Sequence, residues 1–365
     1  MAQEGEFKST MIETLNGICQ QAMRRPISPD DDLIQKGLNA NRALKIIKAF
    51  WIGTGIELDV NIFYRCRSVR AIVNAINSGA LFDAGKIITL REGDASRPLF
   101  IYAGGVSFFL EMQELINVIR YDGTIYGIRH KDFDVERDNP PTIAQEVEVS
   151  LAAITEIDPR GPYRLLGYSF GGVQALELAR RLKAEGREVA FLAMLDSPQN
   201  DHSWRWRDWA GLMRRIIFRQ LKRRLSLKQS PKATPSSSVS DHAPGQSPPR
   251  RGHQLMFRFR NPRHPDYPTF APQWAGGHTP VYVNSARQII QMKGLYRPMP
   301  FDDDVLFFYS KGGSPIDCDA RTIWTPYLPR AEWVCCAGNH QSMIVGRNAK
   351  ALAAELDERL GSTAV

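Results

Sequence analysis

The stretch LLGYSFGGVQALELA, residues 165–179, joins a short apolar run to an amphipathic helical pattern through a glycine-rich turn. It contains the pattern G-x-S-x-G, with Ser169 between Gly167 and Gly171. In such a turn a strand leads into a helix, and the serine lies at the helix N-terminus, where free N–H groups favour negative charge. Glycines are needed because the turn is so tight that neighbouring Cβ atoms would collide. The stretch therefore predicts an exposed nucleophilic serine rather than a glycine-rich nucleotide-binding loop.

From residue 87 onward, short apolar runs alternate with helical patterns on both sides of this turn. The alternation is typical of a largely parallel sheet flanked by helices. Strands are predicted at 87–90, 98–102, 123–128, 163–166, 190–195, 305–309 and 331–336. Helices are predicted at 109–120, 142–157, 172–185, 286–292 and 349–360. This part of the chain is expected to be an α/β domain.

The first 80 residues show helical periodicity without strand patterns. Helices are predicted at 11–22, 39–50 and 68–79, with Asn39 and Ser68 as N-caps. Three or four helices in this length make a small bundle. We therefore expect an α plus α/β architecture, with a helical-bundle domain at 1–82 and a mostly parallel α/β domain at 83–365.

An insertion at about 199–280 interrupts the α/β alternation. Its first part, about 203–228, is amphipathic and basic, and a polar tract rich in Pro and Ser follows. Long insertions of this kind are commonly lids or mobile loops over a site, so we predict a helical lid followed by a disordered loop. Residues 205–263 hold 15 of the 47 basic residues but two of the 39 acidic ones, which accounts for the net charge of +8.

Composition argues against several classes of protein. No nucleic-acid-binding motif accompanies the basic segment, so no nucleic acid is expected as a partner. No apolar run of about 18 residues occurs, and the first residues include acidic groups, which argues against a membrane span or a signal peptide. The five cysteines are scattered without metal-ligand spacing, which favours reduced thiols in a cytoplasmic protein and no metal site.

A serine needs a base and an orienting acid before it can attack a carbonyl. His340 is the predicted base because it follows the last predicted strand, whereas five of the seven histidines lie in or beside the insertion. The acid has more than one candidate. Asp196 ends the fifth predicted strand, and Asp317 and Asp319 follow the sixth. Parallel strands end side by side, so spacing alone leaves both positions open.

Catalysis by a serine also needs N–H groups that stabilise the oxyanion. The N–H of Phe170, which follows the nucleophile, is one candidate, and the loop after the strand at 98–102 supplies the other. In that loop we expect Ala103 to be the donor, with Gly104 as the alternative. A plain glycine turn without this role is the remaining interpretation.

The segments GYSFGG, FLAMLDSP, YRPMPFDDDVLFFYSKG and GNHQSMI, with a long insertion between the second and third, resemble the type I thioesterase domain of nonribosomal peptide and polyketide synthesis. The resemblance covers about 87–360 and implies an α/β-hydrolase fold. It implies Ser169 as nucleophile, Asp196 as acid and His340 as base. Relatives usually read P-L-F-x-x-H-P-A-G-G before the oxyanion loop, whereas Tyr102 directly precedes Ala103 here and the His-Pro pair is absent.

The N-terminal segment DDLIQKGLNAN resembles the attachment site of an acyl or peptidyl carrier domain. In that family a serine at the start of the second helix carries phosphopantetheine. Ala40 occupies the serine position, and its methyl group cannot form the phosphodiester. Two explanations stay open: a deliberate Ser→Ala substitution, or a natural degenerate carrier retained for docking.

Together these features predict a serine thioesterase that releases an acyl or peptidyl chain from a carrier by hydrolysis or cyclisation. The expected partners are upstream synthase modules or carrier proteins and an acyl or peptidyl thioester. A general esterase or acyltransferase of the α/β-hydrolase class is the main alternative. A non-catalytic docking module is a further alternative, which the presence of Ser169, Asp196 and His340 disfavours.

Overall fold

The structure is a computed structural model that describes residues 2–81, 85–130, 141–199, 201–227, 261–262, 277–313 and 319–362. The polar tract predicted to be a disordered loop lies almost entirely outside the described residues, and so does Asp317.

Four helices form the N-terminal part of the chain. They are α1 (Ala2–Met23), α2 (Ala40–Thr54), α3 (Ile62–Arg65) and α4 (Val69–Asn77). The predicted caps are present: the side chain of Asn39 accepts the N–H of Arg42, and that of Ser68 accepts the N–H of Ala71. Helix α1 begins nine residues before the predicted start, and α3 was not predicted.

A seven-stranded sheet forms the centre of the remaining described chain, in the order β1-β3-β2-β4-β5-β6-β7. The strands are β1 (Ile87–Arg91), β2 (Asp94–Tyr102), β3 (Gly123–Ile128), β4 (Tyr163–Tyr168), β5 (Val189–Leu195), β6 (Val305–Ser310) and β7 (Ala331–Cys336). Strand β1 pairs with β3 in antiparallel orientation, and the other neighbouring pairs are parallel. The prediction of a mostly parallel α/β fold is confirmed. All seven strands fall where the sequence predicts them, within a few residues at their ends.

Helices follow most strands as the alternation predicts, and one further helix, at Ala320–Trp324, was not predicted. They are α5 (Gln113–Val118), α6 (Ile143–Ile157), α7 (Phe170–Ala184), α10 (Ala320–Trp324) and α11 (Gly346–Ser362). The helix expected at 109–120 is shorter: a 3₁₀ turn at Phe109–Glu111 precedes α5. The ring of Phe109 lies under β3, where a Cβ on Gly127 would approach it to 2.6 Å. The buried ring of Phe109, and not the helical sequence pattern, thus determines the backbone conformation at Phe109–Glu111.

The insertion contributes two further helices. Helix α8 (Trp206–Leu227) covers most of the basic amphipathic segment, and α9 (Pro280–Leu295) leads back to β6. Helix α9 begins six residues before the predicted start, with a proline in its first turn, where the missing N–H costs nothing. No helix among the described residues combines the length and the apolar character that a membrane span requires.

Candidate functional site

Ser169 lies in a sharp turn between β4 and α7. Its backbone has φ +54° and ψ −121°, a strained conformation for a residue with a side chain. The neighbouring glycines permit it: a Cβ on Gly167 would lie 2.2 Å from the carbonyl oxygen of Gly171, and one on Gly171 would lie 2.4 Å from that of Tyr102. The sequence pattern therefore folds as the G-x-S-x-G motif predicts, with Ser169 immediately before the first residue of α7.

His340 lies beside this serine. Its Nε2 is 2.9 Å from Ser169 Oγ, and its Nδ1 is 2.7 Å from Asp196 Oδ2. The Asp196 side chain is almost fully buried, and the His340 side chain is 12% exposed. If Nδ1 carries the proton that Asp196 accepts, Nε2 is free to accept the proton of Ser169. The three side chains form one continuous set of hydrogen bonds.

Asp196 directly follows β5, and its φ of +44° turns the chain away from the sheet. Its Oδ1 accepts the N–H of Ser310 at 3.0 Å, and its Oδ2 lies 3.2 Å from Ser310 Oγ. These contacts fix the carboxylate from the end of the neighbouring strand β6. Asp319, the described member of the other acid pair, is exposed and caps α10 by accepting the N–H of Arg321. The structure therefore brings Asp196, and not Asp319, to His340.

Two backbone segments meet at Ser169 where oxyanion donors were predicted. Phe170 is the first residue of α7, so its N–H has no carbonyl partner within that helix. On the other side, a Cβ on Gly104 would lie 3.0 Å from Ser169 Cβ, so the loop that follows Tyr102 runs directly over the serine. Phe170 and Ala103 thus lie on segments adjacent to Ser169, and their role as oxyanion donors stays a prediction.

Two residues at the site were not singled out from the sequence. Tyr168 stacks on His340 with 5.1 Å between ring centroids, and its hydroxyl donates to the His340 carbonyl at 2.7 Å. Ser310 binds Asp196 as described above. A signal for Ser310 was present, because it ends the strand beside Asp196 in a parallel sheet. The role of Tyr168 depends on its contact with His340, which is 172 positions away in the sequence, so no local sequence pattern reveals it.

A buried ion pair lies behind this arrangement. Lys86 Nζ contacts Glu146 Oε2, and both side chains are less than a tenth exposed. Burial alone would raise the pKa of Glu146, but His130 and Lys86 together lower it to about 2. The ring of His130 also stacks on Phe170 at 6.3 Å, which connects the pair to the first residue of α7.

Position 40 is the first residue of α2, and Ala40 is half-buried against the core. A methyl group offers no nucleophilic atom, so phosphopantetheine does not fit this position as a covalent group. Asn39 caps the helix without help from residue 40. The local fold therefore does not depend on the missing hydroxyl.

The tryptophans at the start of the insertion have different environments. Trp204 is buried and packs with Leu212 and Ile323, whereas Trp206 is 59% exposed and contacts Trp209 edge-on at 5.4 Å. Trp204 therefore packs this segment against the α/β domain.

Among the described residues, no group of three or more His, Cys, Asp or Glu side chains is arranged to hold a metal ion.

The chain is similar to proteins of nonribosomal peptide synthesis. Enterobactin synthase component F of Escherichia coli (strain K12) is 34% identical over 127 residues, which are 34% of this chain and 10% of that protein. A dimodular nonribosomal peptide synthase of Bacillus subtilis (strain 168) is 27% identical over 192 residues, 52% of this chain and 8% of that protein. The chain thus matches only a small part of the length of these relatives.

A comparison of structures supports the fold. The crystal structure of a holo four-domain nonribosomal peptide synthetase bound to AMP and glycine aligns with 95% of this chain and 26% of its own, with a TM-score of 0.55 and 20% identity. The family model described as a thioesterase domain matches residues 100–236, which include Ser169 and Asp196. These residues are therefore similar to the thioesterase domain family.

Proposed function

We propose that this protein is a serine thioesterase that releases an acyl or peptidyl chain from a carrier-bound thioester. The observation that carries the proposal is the set of hydrogen bonds that joins Asp196 to His340 and His340 to Ser169 at 2.7 and 2.9 Å. The match of residues 100–236 to the thioesterase domain family model supports it. So does the similarity to a dimodular nonribosomal peptide synthase and to enterobactin synthase component F.

In the proposed reaction, Ser169 Oγ attacks the thioester carbonyl while His340 Nε2 accepts its proton. Asp196 holds the histidine tautomer and stabilises the positive charge that forms on the ring. The N–H groups of Phe170 and Ala103 stabilise the oxyanion, and each such donor contributes about 3 kcal/mol. The thiolate then leaves and takes the proton from His340. Water, or a nucleophile within the acyl chain, then attacks the acyl-enzyme and gives up its proton to His340 Nε2. The ester bond to Ser169 breaks, Ser169 Oγ takes the proton back from His340, and an acid or a ring is released.

We further infer a two-part organisation, with a carrier-like bundle at 1–82 and the thioesterase at 83–365, in which α8 and α9 belong to a lid. Because Ala40 cannot hold phosphopantetheine, no thioester is formed on this bundle. Substrate would reach Ser169 from another carrier, such as that of an upstream synthase module.

The test is turnover of a synthetic acyl-pantetheine thioester, followed by mass analysis of the product. We expect hydrolysis or cyclisation by the unmodified chain and a loss of at least about 1,000-fold in kcat for Ser169→Ala, because the proposed acyl-enzyme forms on the Ser169 hydroxyl. A matched oxygen ester should react more slowly than the thioester. Equal activity of Ser169→Ala would contradict the mechanism, and a preference for the oxygen ester would favour a general esterase.

The carrier hypothesis has its own test. Ala40→Ser, co-expressed with a phosphopantetheinyl transferase, should gain the mass of one phosphopantetheine group. The unsubstituted chain is the control and should gain none. Absence of the gain in Ala40→Ser would contradict the carrier interpretation without affecting the thioesterase assignment.

A further inference from the structure

A buried side chain of the N-terminal bundle contacts the loop that follows Tyr102 and runs over Ser169. Asn61, which precedes α3, is 2% exposed. Its Nδ2 donates to the Ser107 carbonyl at 2.9 Å, and its Oδ1 accepts the Phe109 N–H at 3.1 Å. Both bonds go to the backbone of the segment that follows the expected oxyanion donor. A single carboxamide thus holds two consecutive peptide groups of this loop.

Asn61 is itself held in place from both domains. Its own N–H donates to Asp59 Oδ1 at 2.8 Å, and Asp59 Oδ2 lies 3.3 Å from Arg129 Nη2, just past the end of β3. The next two residues, Ile62 and Phe63, are completely buried. The position of Asn61 is therefore fixed relative to the sheet, so that its hydrogen bonds are directional constraints and not adjustable surface contacts.

The loop held by Asn61 continues to the nucleophile. Ser107 N–H donates to the Gly104 carbonyl at 3.0 Å, which closes a turn, and Gly104 is the residue packed against Ser169 Cβ. Ser107 has φ +58°, a left-handed conformation that a residue with a side chain rarely adopts unless its surroundings impose it. The bond from Asn61 to the Ser107 carbonyl supplies part of that constraint.

The geometry points to Asn61 as a positioning residue of the thioesterase: from the N-terminal bundle, it fixes the Ser107–Phe109 backbone and thereby the Ala103 and Gly104 peptides over Ser169. The bundle then acts in catalysis although Ala40 carries no substrate arm. This inference rests on the proposed function, since it assigns Asn61 to the same reaction.

The test compares Asn61→Ala with Tyr64→Phe in the full chain. Asn61→Ala removes both hydrogen bonds to the loop. Tyr64→Phe is the matched control, because Tyr64 lies on α3 at the same interface and its hydroxyl contacts the side chain of Gln113, not the loop backbone. Asn61→Asp is a second variant, which keeps an acceptor for Phe109 but places an oxygen against the Ser107 carbonyl. Thermal unfolding of each variant shows that it is folded at the assay temperature.

We expect Asn61→Ala to lower kcat on a small acyl-pantetheine thioester by about 10- to 100-fold, with KM within about twofold. A misplaced N–H donor still stabilises the oxyanion in part, so the loss in kcat should be smaller than for complete removal of the donor. Asn61→Asp should behave similarly, and Tyr64→Phe should keep kcat within about twofold. The readout that does not need activity is amide hydrogen exchange in the peptide covering 103–112. Exchange should become at least tenfold faster in Asn61→Ala and stay unchanged in Tyr64→Phe.

Unchanged kcat and unchanged exchange in a folded Asn61→Ala would overturn the inference. Equal losses in Asn61→Ala and Tyr64→Phe would also overturn it, since the effect would then belong to the interface as a whole. Failure of the proposed function looks different: the unsubstituted chain would turn over no thioester and Ser169 would not react with a fluorophosphonate. In that case hydrogen exchange alone decides whether Asn61 holds the loop.

Discussion

At the scale of single residues, two aspartates near the sheet edge have different partners. Asp196 is buried and contacts His340 at 2.7 Å, whereas Asp319 is exposed and caps α10. We expect Asp196→Asn to lower kcat by about 100- to 10,000-fold, because an amide can hold the imidazole in the wrong tautomer and cannot stabilise its positive charge. Steady-state kinetics on a thioester, at the same pH for all variants, measures the loss.

Asp319→Asn is the matched control for this prediction. Asn caps a helix about as well as Asp, so both stability and kcat should stay close to those of the unsubstituted chain. If Asp319→Asn lost as much activity as Asp196→Asn, the acid would be misassigned. The comparison uses the same chemical change at both positions, so that the position alone distinguishes the two results.

Glu111 gives a residue-scale prediction on pH. Burial raises the pKa of this half-buried carboxyl to about 7, and Tyr168 and Tyr282 lie within electrostatic range of it. Its pKa is therefore higher in the folded than in the unfolded chain, so its contribution to stability is complete below about pH 4.5 and is lost as the pH rises through 7. Glu111→Gln should remove this dependence.

The measurement is urea unfolding of both chains at pH 4.5, 6 and 8. The free energy of unfolding of Glu111→Gln, relative to the unsubstituted chain, should increase by about 3 kcal/mol between pH 4.5 and pH 8. A constant difference over this range would mean that Glu111 titrates normally. The sign is informative because an ion-paired carboxylate would produce the opposite trend.

At the scale of elements, the junction of β2, β4 and α7 leaves no room for a side chain. A Cβ on Gly171 would lie 2.4 Å from the Tyr102 carbonyl oxygen and 2.6 Å from that of Ala103. Gly171→Ala should therefore push α7 away from the loop that begins at Ala103 and destabilise the fold by about 1–3 kcal/mol. It should also lower kcat, because Ala103 and Phe170 lie on the two segments that separate. Urea unfolding and thioester kinetics test the two effects.

Gly17→Ala is the control for a glycine without this constraint. Gly17 lies in the interior of α1, and no atom lies within 4 Å of the position of its Cβ. The substitution should stabilise the protein by about 0.5–1 kcal/mol through helix propensity and leave kcat unchanged. A loss of stability similar to that of Gly171→Ala would show that packing at the junction is not the cause.

The elements that sequence predicts well are those whose signals are local. Alternation of apolar runs locates all seven strands, and Asn39 and Ser68 locate two helix starts through their own side chains. Boundaries fail where distant contacts decide them. Phe109 is an example, because its ring packs under Gly127 and replaces the start of a predicted helix with a 3₁₀ turn.

The same distinction applies to the candidate site. The glycine-rich turn around Ser169 is a local pattern and could be predicted from sequence. The pairing of His340 with Asp196 instead of Asp319 depends on the order of β5 and β6 in the sheet, which residue spacing alone left open. Asn61 had no local signal, because its partners Ser107 and Phe109 lie more than 45 positions away.

At the scale of the whole molecule, the bundle and the α/β domain share one hydrophobic core. The cluster of buried apolar side chains includes Leu15 and Phe63 from the bundle together with residues of the sheet and of α11. Polar contacts cross the same boundary, such as the Val281 N–H that donates to Glu57 at 2.9 Å. A carrier domain that moves between partners needs a small, separable interface. The continuous core instead favours a bundle that stays in place.

This continuity predicts how the chain unfolds. Phe63 is completely buried where α3 packs against β1, so Phe63→Ala should cost about 3–5 kcal/mol. Because both parts share this core, the loss should appear as a single earlier transition, coincident by far-UV circular dichroism and by Trp fluorescence in urea. Ile52→Ala is the control. Ile52 is 68% exposed on α2, so truncation of its side chain should change the free energy of unfolding by less than about 0.5 kcal/mol. Two separated transitions in the unsubstituted chain would instead mean that the bundle folds independently. In that case the urea midpoint of the α/β domain should be the same in Phe63→Ala as in the unsubstituted chain.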